Sequence, residues 1–276
     1  MLDGAERSIV FEDIARPPVP SLLRGFSAPV ILECDYQPDE LAVLLRHDPD
    51  GFNRWEAGQQ LAGLAYDDAR DGRLTGAALT AWSQALADLF RDASVEDALL
   101  AELLTPPGEI ELVERQAERD PDRIRASRQA MLRALAQRIG VDALRQRYDR
   151  LREATSASLD AASQARRQLK RRVLDLLALV DVEGATHLAA AQYEQAPGMT
   201  DRLAAQATLA THAPEAALAS IAHFRRRYDD NALALDKWFA LQAALPGDGA
   251  FARVRALAND PAFTLKNPNR VQSLIG

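Results

Sequence analysis

From Pro38 onward the chain repeats one punctuated pattern, and that pattern leaves little choice of fold. Apolar residues recur at three- and four-residue spacing over stretches of roughly 10 to 20 residues, each closed by Gly, Pro or Asp. "GAALTAWSQALADLFRD" places Leu79, Trp82, Leu86, Leu89 and Phe90 on one helical stripe. "DPDRIRASRQAMLRALAQRIG" opens with Asp120 as cap and Pro121 at the first helical position, and closes at Gly140. "GFNRWEAGQQLAGLAYDDARDG" reads as a helix capped by Asn53 and broken at Gly72. "SVEDALLAELLTPPG" reads as one capped by Ser94, with Asp97 three residues on and Pro106 and Pro107 as its stop. The same punctuation continues through Gly184, Gly198, Pro214, Asp229 and Gly247. About a dozen helices with short joints and plentiful alanine predict a mainly α chain, an irregular α-solenoid of the HEAT/armadillo-like superhelical kind.

The first stretch reads differently. "SIVFEDI" and "APVILECDY" are short and rich in β-branched and aromatic residues, and Val30, Leu32 and Cys34 alternate with Ile31 and Glu33. So few strands need partners to make a stable sheet. Residues 1–36 are therefore expected to be the remnant of a β domain, and residues 37–276 the helical domain. Cys34 is the single cysteine, so neither an internal disulfide nor a thiolate zinc site can form, and its place in "VILEC" predicts a buried small hydrophobe.

Composition excludes more than it assigns. A net charge of -7 disfavours nucleic acid as partner, and no apolar run reaches the roughly 18 to 20 residues that span a bilayer. After Met1 no apolar stretch of secretory type follows, which points to the cytoplasm. The four histidines, His47, His187, His212 and His223, form no H-E-x-x-H. Glu183 and His187 stand four apart, a spacing that suits a surface pair better than a metal site. P-loop, dinucleotide and nucleophile-elbow motifs are all missing, so the sequence offers no catalytic residue, no metal ligand set and no cofactor site of its own. "ARRQLKRRV" concentrates charge, with Arg166, Arg167, Lys170 and Arg171 on the face opposite Leu169, Val173, Leu176 and Leu177; a solvated helix face is expected there. In "LDKWFALQAALP", Trp238 and Phe239 point about 100° apart, so one should anchor the core and the other pack on a neighbouring element. In "NPNR", Asn267 and Asn269 suit turn and cap roles and Arg270 opens the last helix.

"SAPVILE", "LLRHDPDGFNRWEAGQQL", "GMTDRLAAQ", "LDKWFALQA" and "FTLKNPNRVQSLIG" together resemble, in order along the chain, the C-terminal part of the bacterial aminopeptidase N family, zinc metallopeptidases of the gluzincin type. The resemblance implies the end of a β-sandwich followed by most of a helical domain that arches over a catalytic cleft and helps admit and position peptide. Zinc and the catalytic residues would then belong to the parent enzyme's catalytic domain, which this chain lacks, and its partners would be that domain and the peptide. It further implies substrate-channel roles for Asn267, Asn269, Arg270 and Gln272; the family often carries an arginine where Gln272 stands. Leu274 and Ile275 open a helix that the family continues, so the chain reads as a piece cut inside both domains. Self-association through the stripe near "AFARVRAL" and the strand edge near "SIVFEDI" is expected of such a piece. The alternative reading is a free-standing α-solenoid that binds a protein partner.

Overall fold

The computed structural model describes residues 6, 8–116, 119–152, 158–245 and 247–275. Among these, fourteen α-helices form: α1 (Pro38–His47), α2 (Gly51–Arg70), α3 (Ala77–Arg91), α4 (Asp97–Leu103), α5 (Glu109–Glu114), α6 (Pro121–Ile139) and α7 (Val141–Leu151) make the first half. α8 (Ala161–Leu177), α9 (Val182–Gln195), α10 (Met199–His212), α11 (Pro214–Arg227), α12 (Ala232–Ala243), α13 (Ala250–Leu257) and α14 (Pro268–Ile275) make the second. The irregular α-solenoid is what the periodicity requires: each helix buries an apolar stripe against helices near it in sequence. α1, α2 and α3 pack together, α6 covers α2 and α3, α8 lies on α4 and α7, α9 and α10 pair, and α11 leads from α10 to α12, which carries α13 and α14. Leu79, Trp82, Leu86, Leu89 and Phe90 all face inward on α3, as their spacing predicts.

Two apolar clusters result. The larger runs from Leu41 on α1 to Ala217 on α11; the smaller gathers Phe224, Ala234, Trp238, Phe239, Leu257 and Leu274 from α11 to α14. Ile221 packs against both. The two adjacent aromatics of α12 diverge as expected. Trp238 donates from Nε1 to the Ile221 carbonyl of α11 at 3.1 Å, and Phe239 meets the Phe263 ring edge-on at 6.0 Å.

Three sequence expectations need correction. Over residues 8–36 no strand forms among the described residues, because an extended segment is stable only when a neighbouring strand takes its N–H and C=O groups. Instead a 3₁₀ turn at Arg24–Phe26 docks on the start of α2, where Asn53 Nδ2 donates to Ser21 Oγ at 2.9 Å and to the Leu22 carbonyl at 2.8 Å. Cys34 is exposed rather than buried, since no layer covers its segment. The caps also move. Asp50, not Asn53, caps α2, accepting from Phe52 and Asn53 N–H at 3.0 and 3.1 Å. Ser94 belongs to a turn closed by Asp92, and α4 starts after Glu96. Asp120 caps α6 as expected, accepting at 3.1 Å from both Asp122 and Arg123 N–H.

One cap is made across helices. Asp68, buried near the end of α2, accepts from the first-turn amides of Ala78 and Leu79 on α3 at 3.0 and 3.1 Å, and from Arg73 Nε at 3.0 Å. Gly76 makes room for it: a Cβ there would lie 2.2 Å from the Asp68 carboxylate. Asp68→Ala should lower stability by about 1 to 3 kcal/mol, because two buried amides lose their acceptor. Gly76→Ala should cost a similar amount by displacing the same carboxylate, and the double variant little more than either alone. Urea unfolding checks this; fully additive losses would contradict it.

Hydrogen bonds also hold three capping carboxyls below the usual range: Asp50 through the Asn53 amide, Asp160 through the Ser158 hydroxyl, and Asp181 through the Arg145 guanidinium. A carboxyl whose folded-state pKa is depressed stabilises the fold fully above its unfolded pKa, about 3.9 for Asp, and loses that contribution as pH falls through the lower folded value. Thermal unfolding followed by circular dichroism should therefore show the contribution of these caps steady down to about pH 4 and declining below it. Substituting the three caps with asparagine should flatten that acid limb.

Candidate functional site

The four residues singled out near the chain's end occupy one short segment and divide by exposure. Asn267 caps α14, its Oδ1 accepting from Asn269 N–H at 3.0 Å and Arg270 N–H at 3.4 Å. Asn269 and Gln272 are exposed on the first turns of α14. Arg270 is only 5% exposed, and its guanidinium is fully engaged. Nε pairs with Asp236 of α12, Nη1 donates to the Ala262 carbonyl, and Nη2 donates to the Ala232 carbonyl at 3.2 Å. The same group lies 5.1 Å from the Phe239 ring centre. Within this chain Arg270 thus clamps α14 onto α12 rather than offering a free cation. Helix spacing alone could not reveal this, because its partner is 34 residues away.

The basic stretch of α8 departs from the solvated face expected of it. Lys170 is 7% exposed and pairs with Asp201 of α10 at 3.0 Å, so the turn toward α10 carries a buried ion pair. Beside it, Arg202 donates to the Tyr193 and Ala196 carbonyls at 3.1 and 2.7 Å and to the Tyr228 hydroxyl at 3.0 Å. It thereby satisfies carbonyls left open at the end of α9. Gln192 completes the link: its Nε2 donates to the Asp201 carbonyl at 2.8 Å, and its Oε1 accepts from the Tyr148 hydroxyl at 2.7 Å. Burial pushes the Tyr148 phenol pKa upward, which keeps it a donor.

Arg167 and Arg171 of α8 border an open groove of about 720 Å³ between α8, α10 and α12. Gln164, Arg167, Gln168 and Arg171 form one wall, Lys237 with Ala240 and Leu241 the other, and Met199, Leu203, Ala204 and Ala207 of α10 the apolar floor. Arg167 is steadied by donating to the Ser158 carbonyl at 2.7 Å, and Gln168 by donating to Glu102 at 2.7 Å. Arg171 has a loose 3.8 Å contact to Asp175, while Lys237 has no ion pair or hydrogen bond among the described residues. No carboxylate lines the groove among the described residues. The histidines are scattered over α1, α9, α10 and α11, and among the described residues no three His, Cys, Asp or Glu side chains gather closely enough to hold a metal ion.

A family model described as a domain of unknown function (DUF3458_C) with ARM repeats matches residues 38–276. The chain belongs to the DUF3458_C family. A second model, a domain of unknown function (DUF3458) with an Ig-like fold, matches residues 1–35. Relatives of this chain include aminopeptidase N of Escherichia coli, 35% identical over 99% of this chain and 31% of the relative. Aminopeptidase N of Caulobacter vibrioides is 34% identical over all of this chain and 32% of the relative. The chain thus spans about a third of the length of the curated relatives it matches. The crystal structure of Legionella pneumophila aminopeptidase A in complex with aspartic acid superposes with a TM-score of 0.83 at 28% identity, over 96% of this chain and 32% of that one. The resemblance to the C-terminal region of bacterial aminopeptidase N, first seen in five short segments, therefore extends along the whole chain.

Sequence reading missed the buried partners of this DUF3458_C chain: Lys170, Asp201 and Arg202 look like ordinary surface charge. Only the crowding of small residues around them on α10, Ala204, Ala205 and Ala210, signals a close helix contact. Asp201→Ala should destabilise the fold by about 3 to 5 kcal/mol, because Lys170 would remain buried without its counter-charge. Lys170→Met with Asp201→Leu should recover most of that loss. Guanidinium unfolding decides the point, and equal losses in the single and double variants would rule out the ion pair as the cause.

Proposed function

We propose that this chain is the non-catalytic helical domain of a zinc aminopeptidase, which encloses the active-site chamber and helps admit and position peptides for removal of their N-terminal residues. The observation that carries this reading is the match of the entire chain to about a third of aminopeptidase N, joined to an ARM-repeat architecture. Zinc and the hydrolytic residues would lie in the parent enzyme's own catalytic domain, and the working location would be the cytoplasm. Asn269 and Gln272 are the side chains we assign to the channel, with Asn267 capping their helix and Arg270 holding it in register. Exposed Ile9, Val10, Phe11 and Ile31 support the presence of a neighbouring β unit, since such side chains are normally covered. In its absence they, with Phe251 and Ile275, supply the surface for self-association.

The test is direct. The purified chain, free of any tag, should neither hydrolyse an aminoacyl amide nor retain stoichiometric zinc on metal analysis, because a catalytic zinc site needs about three protein ligands. Within a complete aminopeptidase carrying this domain, Asn269→Ala combined with Gln272→Ala should reduce kcat/KM for peptides while leaving a small aminoacyl amide nearly unaffected. Hydrolysis or tight zinc binding by the chain alone would overturn the non-catalytic assignment. Equal losses on both substrates would overturn the channel assignment.

A further inference from the structure

The groove between α8, α10 and α12 is not used by the reading above, and its chemistry is specific. We propose that it is a binding site for an acidic, partly apolar peptide segment in extended conformation. This inference does not depend on the chain's serving an aminopeptidase.

Charge is the first argument. The chain as a whole carries -7, yet Arg167, Arg171 and Lys237 border this one groove without a lining carboxylate among the described residues. Such a concentration of one sign, set between low-dielectric walls, attracts the opposite charge. Among the described residues Lys237 has no partner to give up, and Arg171 has only its 3.8 Å contact with Asp175.

Spacing is the second. Arg167 and Arg171 are one turn apart on α8, and four residues of helix rise about 6 Å. Side chains on one face of an extended peptide recur about every 6.6 Å, since each residue advances about 3.3 Å. Acidic residues at alternate positions can therefore meet both arginines, while the intervening side chains turn toward the floor of Met199, Leu203, Ala204 and Ala207. Gln164 supplies an amide to the same wall. The volume of about 720 Å³ accommodates a short segment rather than a single small ion.

Nucleic acid fits less well. Its single strands are held by aromatic stacking as well as charge, and no aromatic ring lines the groove among the described residues.

The probe is a fluorescein-labelled octapeptide of alternating Glu and Leu, titrated against the full 276-residue chain by anisotropy at 50 and 200 mM salt. Saturable binding that weakens at the higher salt is expected, with an alternating Lys and Leu octapeptide binding at least about tenfold more weakly. Arg171→Gln combined with Lys237→Gln should lower affinity for the acidic peptide by about tenfold or more. Both residues are exposed, so circular dichroism should report an unchanged fold; if it does not, Lys237→Gln alone, expected to lose about threefold, carries the test. Equal binding of the two peptides, an affinity unmoved by the variants, or binding of a single-stranded oligonucleotide in preference to the acidic peptide would each overturn the proposal.

Discussion

A helical array of this kind depends on how each helix is fixed in register against the next, because apolar stripes are forgiving about sliding and rotation. In this chain the fixing is done by buried charged and amide side chains that reach across helix contacts. Asp68 joins α2 to α3, Lys170 and Asp201 join α8 to α10, Arg202 closes the end of α9, and Arg270 holds α14 against Asp236 of α12. Each bond is made in a setting where leaving the group unpaired is expensive. The apolar cores determine that the helices pack; these side chains determine where.

Legibility in the sequence follows the same division. Periodicity and breaks disclosed the helices, their stripes and the solenoid, since these properties are local. The Asp120–Pro121 cap was readable because both signals stand side by side, whereas Asn53 and Ser94 misled because a better acceptor stood a few residues away: Asp50 for α2, and Asp92 for the turn before α4. The apparent strands around Phe11 and Ile31 carry real β-propensity, but propensity does not supply the neighbouring strand that pairing requires. The partners of Arg270 were invisible because they lie on α12 and in the Ala262 turn. Lys170 was grouped with its exposed neighbours for the same reason. A run of cations carries no mark of which member meets a carboxylate from another repeat.

The comparisons and the geometry bear on different scales. Similarity along the whole chain places it with the helical part of aminopeptidases, and the segments that first suggested the resemblance contain many of the buried polar contacts. "GMTDRLAAQ" contributes Asp201 and Arg202, "LDKWFALQA" contributes Asp236, and "NPNR" contributes Arg270. Those stretches are thus recognisable largely for what they do to the scaffold. Residues that face solvent, such as Asn269, Gln272, Arg171 and Lys237, are free of that duty.

The division of the interior into two apolar clusters has a mechanical consequence. α11 is the seam: its Ile221 packs against both clusters, and Met199 and Leu203 of α10 reach the smaller one beside it. The groove spans that seam, with Arg167 and Arg171 on the larger body and Lys237 on the smaller. Anything seated between them acts as a splint: it grips both bodies at once, opposes their relative rotation, and converts occupancy into stiffness along the superhelix.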